Sequence, residues 1–66
     1  MNITELAANR DEIMRAQDID CPLCGKHQYS PFGKLYVKYA DKCQDCTTDD
    51  DELLRNGEVL FQVVNG

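Results

Sequence analysis

The chain contains no apolar run approaching the roughly 20 residues that cross a bilayer. No basic stretch followed by a hydrophobic segment opens it, so neither a membrane span nor a signal peptide is expected. Cations are scarce: seven Lys and Arg stand against twelve Asp and Glu, a formal charge of −5. Affinity for phosphate rests mostly on cationic contacts, so the chain as a whole is a poor general nucleic-acid binder. There is no Ser-His-Asp order, P-loop or glycine-rich dinucleotide fingerprint. At 66 residues it is also too short for a TIM barrel, a Rossmann domain, a kinase or an α/β-hydrolase. A single domain, residues 1–66, is the most the length allows.

The shortage that matters most is of core. A chain of this size buries only about 60% of its unfolded surface. Chains below about 70–80 residues usually need disulfides, a metal or a partner to hold them. The four cysteines are the candidate staple. They read Cys21-Pro-Leu-Cys24-Gly25-Lys26 and Cys43-Gln-Asp-Cys46, a C-x2-C-x18-C-x2-C pattern. That spacing belongs to structural zinc sites. Two residues between cysteines let a tight turn aim both sulfurs at one ion, and two such turns complete a tetrahedral shell at about 2.3 Å per sulfur. Gly25 suits a knuckle that needs positive φ, and Pro22 pre-sets its turn. Two disulfides would require an oxidising compartment, which nothing in the sequence indicates. A thiol-redox pair normally accompanies a βαβ pattern for which the chain is too short. All-thiolate tetrahedral sites suit zinc or iron. The first knuckle has something of rubredoxin, a one-iron carrier, but that family spaces its knuckles more widely and carries its proline-glycine knuckle second. Zinc, one ion on Cys21, Cys24, Cys43 and Cys46, is the expected cofactor.

With these residues in place, the segment 21–46 resembles the small four-cysteine zinc-ribbon and treble-clef proteins, many of them bacterial or phage accessory factors. In style it is similar to the zinc finger of the DksA/TraR proteins. The resemblance implies a non-enzymatic accessory role in the cytoplasm, with RNA polymerase or another nucleic-acid enzyme as the partner class. Those proteins carry a long helical arm bearing acidic residues, which this chain lacks, so their mechanism does not carry over.

Around the cysteines the expected fold is small α+β: a ribbon or treble clef with a β-hairpin between the two pairs, an N-terminal helix and a C-terminal strand. Residues 2–17 read as an amphipathic helix with Asn2 and Glu5 at capping-box spacing. Ile3, Leu6, Ala7, Ile13 and Met14 share one face, interrupted by Arg10. That face either covers the core or serves docking and dimerisation. Residues 28–40 read as the hairpin, with Ser30-Pro31-Phe32-Gly33 as its turn and the β-forming Leu35–Ala40 as a strand. Residues 47–56 admit two readings: a helix capped by Thr47 or Thr48 and ending at Gly57, or a hairpin turning at Asn56-Gly57. Residues 58–64 read as the best strand in the chain, paired with 35–40 or left as a sticky edge.

Charge is distributed unevenly. Residues 1–20 hold five acids and two bases, residues 21–46 four lysines and two acids, and residues 47–66 five acids and one arginine. Two function classes follow. A protein-binding adaptor, monomeric or weakly dimeric, would use the acidic run Asp49, Asp50, Asp51 and Glu52. The bland reading of that run is a solvated helix start. A nucleic-acid finger would instead use the basic-aromatic segment 26–42, where lysines and His27 interleave with Tyr29, Phe32, Tyr36 and Tyr39, with Lys34, Tyr36 and Lys38 above all as a stacking surface. Catalysis is not expected, since four thiolates close the metal shell and leave no position for an activated water. His27, three residues past Cys24, is expected outside the ligand set. Cys43→Ser should therefore collapse the far-UV circular dichroism spectrum while His27→Ala leaves it near wild type. Equal losses would make His27 a ligand.

Overall fold

Asn2 starts the first helix as its spacing predicts, its side-chain oxygen accepting the Glu5 N–H at 2.8 Å. The computed structural model describes residues 1–65, and Gly66 lies outside them. The N-terminal helix comes in two pieces, α1 (Ile3–Ala8) and α2 (Arg10–Arg15). The break falls at Asn9, whose side-chain amide donates to the Glu5 carbonyl at 2.8 Å and so competes with the helix ladder. Leu6 and Ile13 are buried in the main core with Met14 packed against it, whereas Ile3 and Ala7 of the same face are exposed, so the stripe covers the core only in part.

The hairpin expected over residues 28–40 is not formed. Its presumed turn is a helix start. The Ser30 hydroxyl accepts the Gly33 N–H at 3.0 Å, and Pro31 sits where a missing N–H costs nothing. The result is α3 (Pro31–Ala40). The β-forming composition of Leu35–Ala40 is overruled by periodicity: Phe32, Leu35, Tyr36, Tyr39 and Ala40 recur at helical spacing and all pack in the main core. The helix ends on Asp41, held in the left-handed region at φ 61°, with its N–H on the Val37 carbonyl.

The two strands, β1 (Ile19–Asp20) and β2 (His27–Gln28), pair antiparallel, with Ile19 opposite Gln28 and Asp20 opposite His27. They flank the first cysteine pair instead of separating the two pairs. A 3-10 turn (Gln44–Cys46) carries the second pair. The C-terminal strand is also corrected: residues 58–64 continue α4 (Asp50–Asn65). Of the two readings for 47–57, the helix holds, but its cap is Asp49, whose carboxylate accepts the N–H groups of Asp51 and Glu52 at 2.9 and 3.3 Å. Thr47 and Thr48 do not cap it, and Gly57 lies inside it. Leu53, Leu60, Val63 and Val64 all pack in the main core, so burial of this stripe outweighs the strand propensity of Val and Phe.

The class is thus small α+β, with α3 at the centre and α1, α2, α4 and the strand pair packed around it. The inter-knuckle hairpin expected of a ribbon or treble clef is a helix, and so is the expected final strand; the helix that follows the second cysteine pair is the one treble-clef-like feature present. Two cations tie the layers. Lys34 is buried, and its ammonium donates to the carbonyls of Met14 and Ala16, satisfying the end of α2. Arg10 donates to the Val63 carbonyl in the last turn of α4 at 3.0 Å. Among the described residues no helix is long and apolar enough to cross a membrane. Relieving the left-handed strain at Asp41 should stabilise the fold: Asp41→Gly is expected to gain about 0.5–1 kcal/mol in urea unfolding. A loss would mean that the Asp41 side chain holds a contact of its own.

Candidate metal centre

Each cysteine pair is presented by a local turn. Cys21 follows β1, and its N–H bonds the Lys26 carbonyl at 3.0 Å, while the Gly25 N–H bonds the Cys21 carbonyl at 2.8 Å. This closes a loop around Pro22 and Leu23. Gly25 has φ 76°, and a Cβ there would meet nothing within 4 Å. Conformation, not space, requires the glycine, as the knuckle reading expects. In the second pair the Cys46 N–H bonds the Cys43 carbonyl at 3.1 Å and the Thr47 N–H bonds the Gln44 carbonyl at 3.0 Å.

The topology brings all four sulfurs together, within 4.8 Å of one another, where they can hold a metal ion. Cys21 to Cys46 is 3.7 Å, Cys24 to Cys43 is 3.6 Å and Cys43 to Cys46 is 3.6 Å. A tetrahedron with sulfur about 2.3 Å from its centre has edges of about 3.8 Å. The donor chemistry and the spacing therefore both fit one tetrahedral thiolate-bound ion. All four cysteines are free of disulfides. Cys21 and Cys43 are buried beside Val37 and Ile19, whereas Cys24 is exposed.

Backbone dipoles are aimed at the sulfurs. The Cys43 N–H donates to the Cys21 sulfur at 3.3 Å. Burial opposes ionisation of Cys21, but the N–H groups of Cys24, Leu23 and Cys43 outweigh it and bring the thiol down to about 6. Cys46 is pushed up to about 12, first by its contact with Cys43 and then by Cys24 and by burial. In the free protein one thiolate is favoured and further ones are resisted by the first. A cation at the centre removes that conflict, so metal uptake and proton release are coupled, and acid works against the bound state.

Other charged groups brace the two loops. Lys26, after the first pair, contacts Asp45, inside the second, at 2.6 Å, and that hydrogen bond holds its ammonium above the ordinary lysine range. His27 is exposed, with Nδ1 on the Asp20 carboxylate, a hydrogen bond that raises its pKa. It belongs to this pair and lies outside the sulfur cluster.

A polar chain that the sequence did not announce runs from the core to the second loop. Asn56 Nδ2 donates to the Tyr36 hydroxyl at 3.3 Å, Tyr36 donates to Thr47 Oγ1 at 2.7 Å, and Thr47 donates to the Cys43 carbonyl at 3.2 Å. The carbonyl can only accept, so Thr47 spends its proton there and must accept from Tyr36, which leaves the Tyr36 oxygen to accept from Asn56.

The remaining sequence candidates separate. Tyr36 is fully buried and Lys34 is 7% exposed, so of the Lys34, Tyr36 and Lys38 trio only Lys38 is exposed. Asp49, Asp50 and Asp51 are exposed, and Glu52 contacts Lys42 at 3.2 Å. Compared with known families, characterised proteins and solved structures, the chain shows no match to any of them.

Breaking the polar chain should be costly. Thr47→Val is expected to lose about 1–3 kcal/mol, because a buried hydroxyl and a carbonyl lose their partners. With Tyr36→Phe in the same chain the loss should be smaller than the sum of the single losses. Strictly additive losses in a double-mutant cycle would show that Tyr36 and Thr47 act independently.

Proposed function

We propose that this chain is a non-enzymatic adaptor, stapled by one zinc ion on Cys21, Cys24, Cys43 and Cys46, that engages a protein partner through its acidic surface. The observation that carries the metal half is the gathering of four sulfurs within 4.8 Å, three of their six separations being 3.6 to 3.7 Å, close to the edge of a four-thiolate tetrahedron. Zinc is favoured over iron because the second loop is a plain 3-10 turn without the glycine knuckle of rubredoxin. A closed thiolate shell leaves no open coordination position, which supports a structural role over a catalytic one. Thiolate ligation also fits a reducing, intracellular compartment.

The adaptor half rests on charge and on the resemblance. Asp49, Asp50 and Asp51 stand exposed at the start of α4 in a chain of net charge −5. Basic clefts of RNA polymerase and other nucleic-acid enzymes attract such surfaces. The nucleic-acid reading loses Tyr36 and Lys34 to burial, and what it keeps of the segment 26–42 is chiefly Tyr29 beside His27, with Lys26 and Lys38.

Purified protein should contain one zinc per chain by elemental analysis. Chelation should collapse its far-UV spectrum and amide dispersion, since structural zinc contributes on the order of 10 kcal/mol to small modules. Stoichiometric iron with visible absorption would redirect the reading to electron transfer, and an unchanged fold after chelation would remove the staple. Charge reversal, Asp50→Lys with Asp51→Lys, should abolish capture of partners from the native host. Unchanged capture would acquit the acidic surface.

A further inference from the structure

We propose that the outer face of α4 is a docking groove for a cationic amphipathic helix of a partner protein. The proposal rests on the adaptor reading and adds the chemistry of the partner. Leu54 and Phe61 are 66% and 65% exposed in a chain short of core. They are two turns apart, and with Leu53, Gly57, Glu58 and Gln62 they line one shallow groove.

Gly57 is the second observation. Glycine inside a helix costs about 1 kcal/mol relative to alanine. Here the backbone is helical, and a Cβ would meet only a Phe32 ring carbon at 4.0 Å, an ordinary contact. Neither internal packing nor a special φ requires glycine at this position. What it provides is a low floor between Leu54 and Phe61, on which an outside chain can approach the helix closely.

Charge selects the occupant. Glu58 lines the groove, Asp50 lies one turn before Leu54, and no lysine or arginine lines it. Arg55 belongs to a different surface of α4, with Tyr39, Asp49 and Glu52. A second copy of this chain would oppose acid to acid in a parallel arrangement. In an antiparallel arrangement centred on Gly57 it would bring the two Glu58 side chains together. An amphipathic helix answers both features: apolar anchors at i, i+3 or i+4, and i+7 fill the groove, and flanking Lys or Arg meet Glu58 and Asp50.

The test uses the full, zinc-loaded chain and a fluorescent leucine-lysine peptide of about 14 residues with its leucines on one helical face. A scrambled peptide of the same composition is the control. The patterned peptide is expected to bind in saturable fashion, more weakly as salt rises, with the largest amide shifts at Leu54, Gly57, Glu58 and Phe61. Leu54→Ala and Phe61→Ala should each weaken it at least about tenfold. Both sites are exposed, so the variants should keep the wild-type melting temperature. Gly57→Ala, whose single added carbon makes only an ordinary contact with Phe32, should weaken the peptide by raising the groove floor while raising that temperature. Binding that survives all three variants but is lost with Asp50→Lys and Asp51→Lys would overturn the groove and leave the adaptor reading standing. Failure of the patterned peptide to bind would overturn the groove, while the adaptor reading stands or falls on capture of partners from the native host. A dimer in sedimentation that Phe61→Ala dissolves would assign the groove to a second copy.

Discussion

Four cysteine sulfurs within 4.8 Å of one another are the constraint on which the rest of this small structure turns. The four thiols are not equivalent: backbone N–H groups bring Cys21 down to about 6, while contact with Cys43 and Cys24 and burial push Cys46 up to about 12. A cation held between the four sulfurs would favour the thiolate form of all of them. Two loops far apart in sequence meet at this point. The segment between them must therefore leave the first loop and return to within a sulfur–sulfur contact of it. The chain does so with one helix.

That helix, α3, joins the cysteine cluster to the apolar core. Val37 lies against Cys21 and Cys43, while its neighbours Leu35 and Tyr36 are fully buried in the main cluster. The Tyr36 hydroxyl then reaches back through Thr47 to the Cys43 carbonyl. Metal loops and core are thus two halves of one packing unit, which is how a chain with so little to bury can share its stabilisation between them. The same helix consumes the side chains that would otherwise have made a basic-aromatic surface. Lys34 is committed to the end of α2, and Tyr36 to the core. The charge left outside is largely acidic and gathers at the start of α4, on the opposite side of the second cysteine pair in sequence.

Some of this was legible in the residues. The cysteine spacing picked out the four sulfurs that the fold brings within 4.8 Å, and Gly25 announced the positive φ of its knuckle. Asn2 announced the first cap. The reading failed where local propensity and periodicity disagreed and propensity was followed. Leu35–Ala40 and 58–64 are rich in β-formers, yet Phe32, Leu35, Tyr36, Tyr39 and Ala40, and later Leu53, Leu60, Val63 and Val64, repeat at helical spacing. Ser30-Pro31 resembles a turn and is equally a capped helix start, since proline is at ease in the first helical turn. Asn56-Gly57 resembles a hairpin turn and lies in mid-helix.

What the sequence determined by itself is the chemistry of the staple: four thiolate donors in two short turns, because ligand spacing within a turn is a local property. What only the tertiary structure decided is which elements carry those turns and which side chains remain outside. Propensity for strand or helix spans about a kcal/mol per residue, and burial of one leucine or valine face is worth more. The face that finds a partner therefore sets the element. Once α3 and α4 had turned their stripes toward Leu6 and Ile13, Tyr36 went in, Phe61 stayed out, and the surface open to a partner was settled with them.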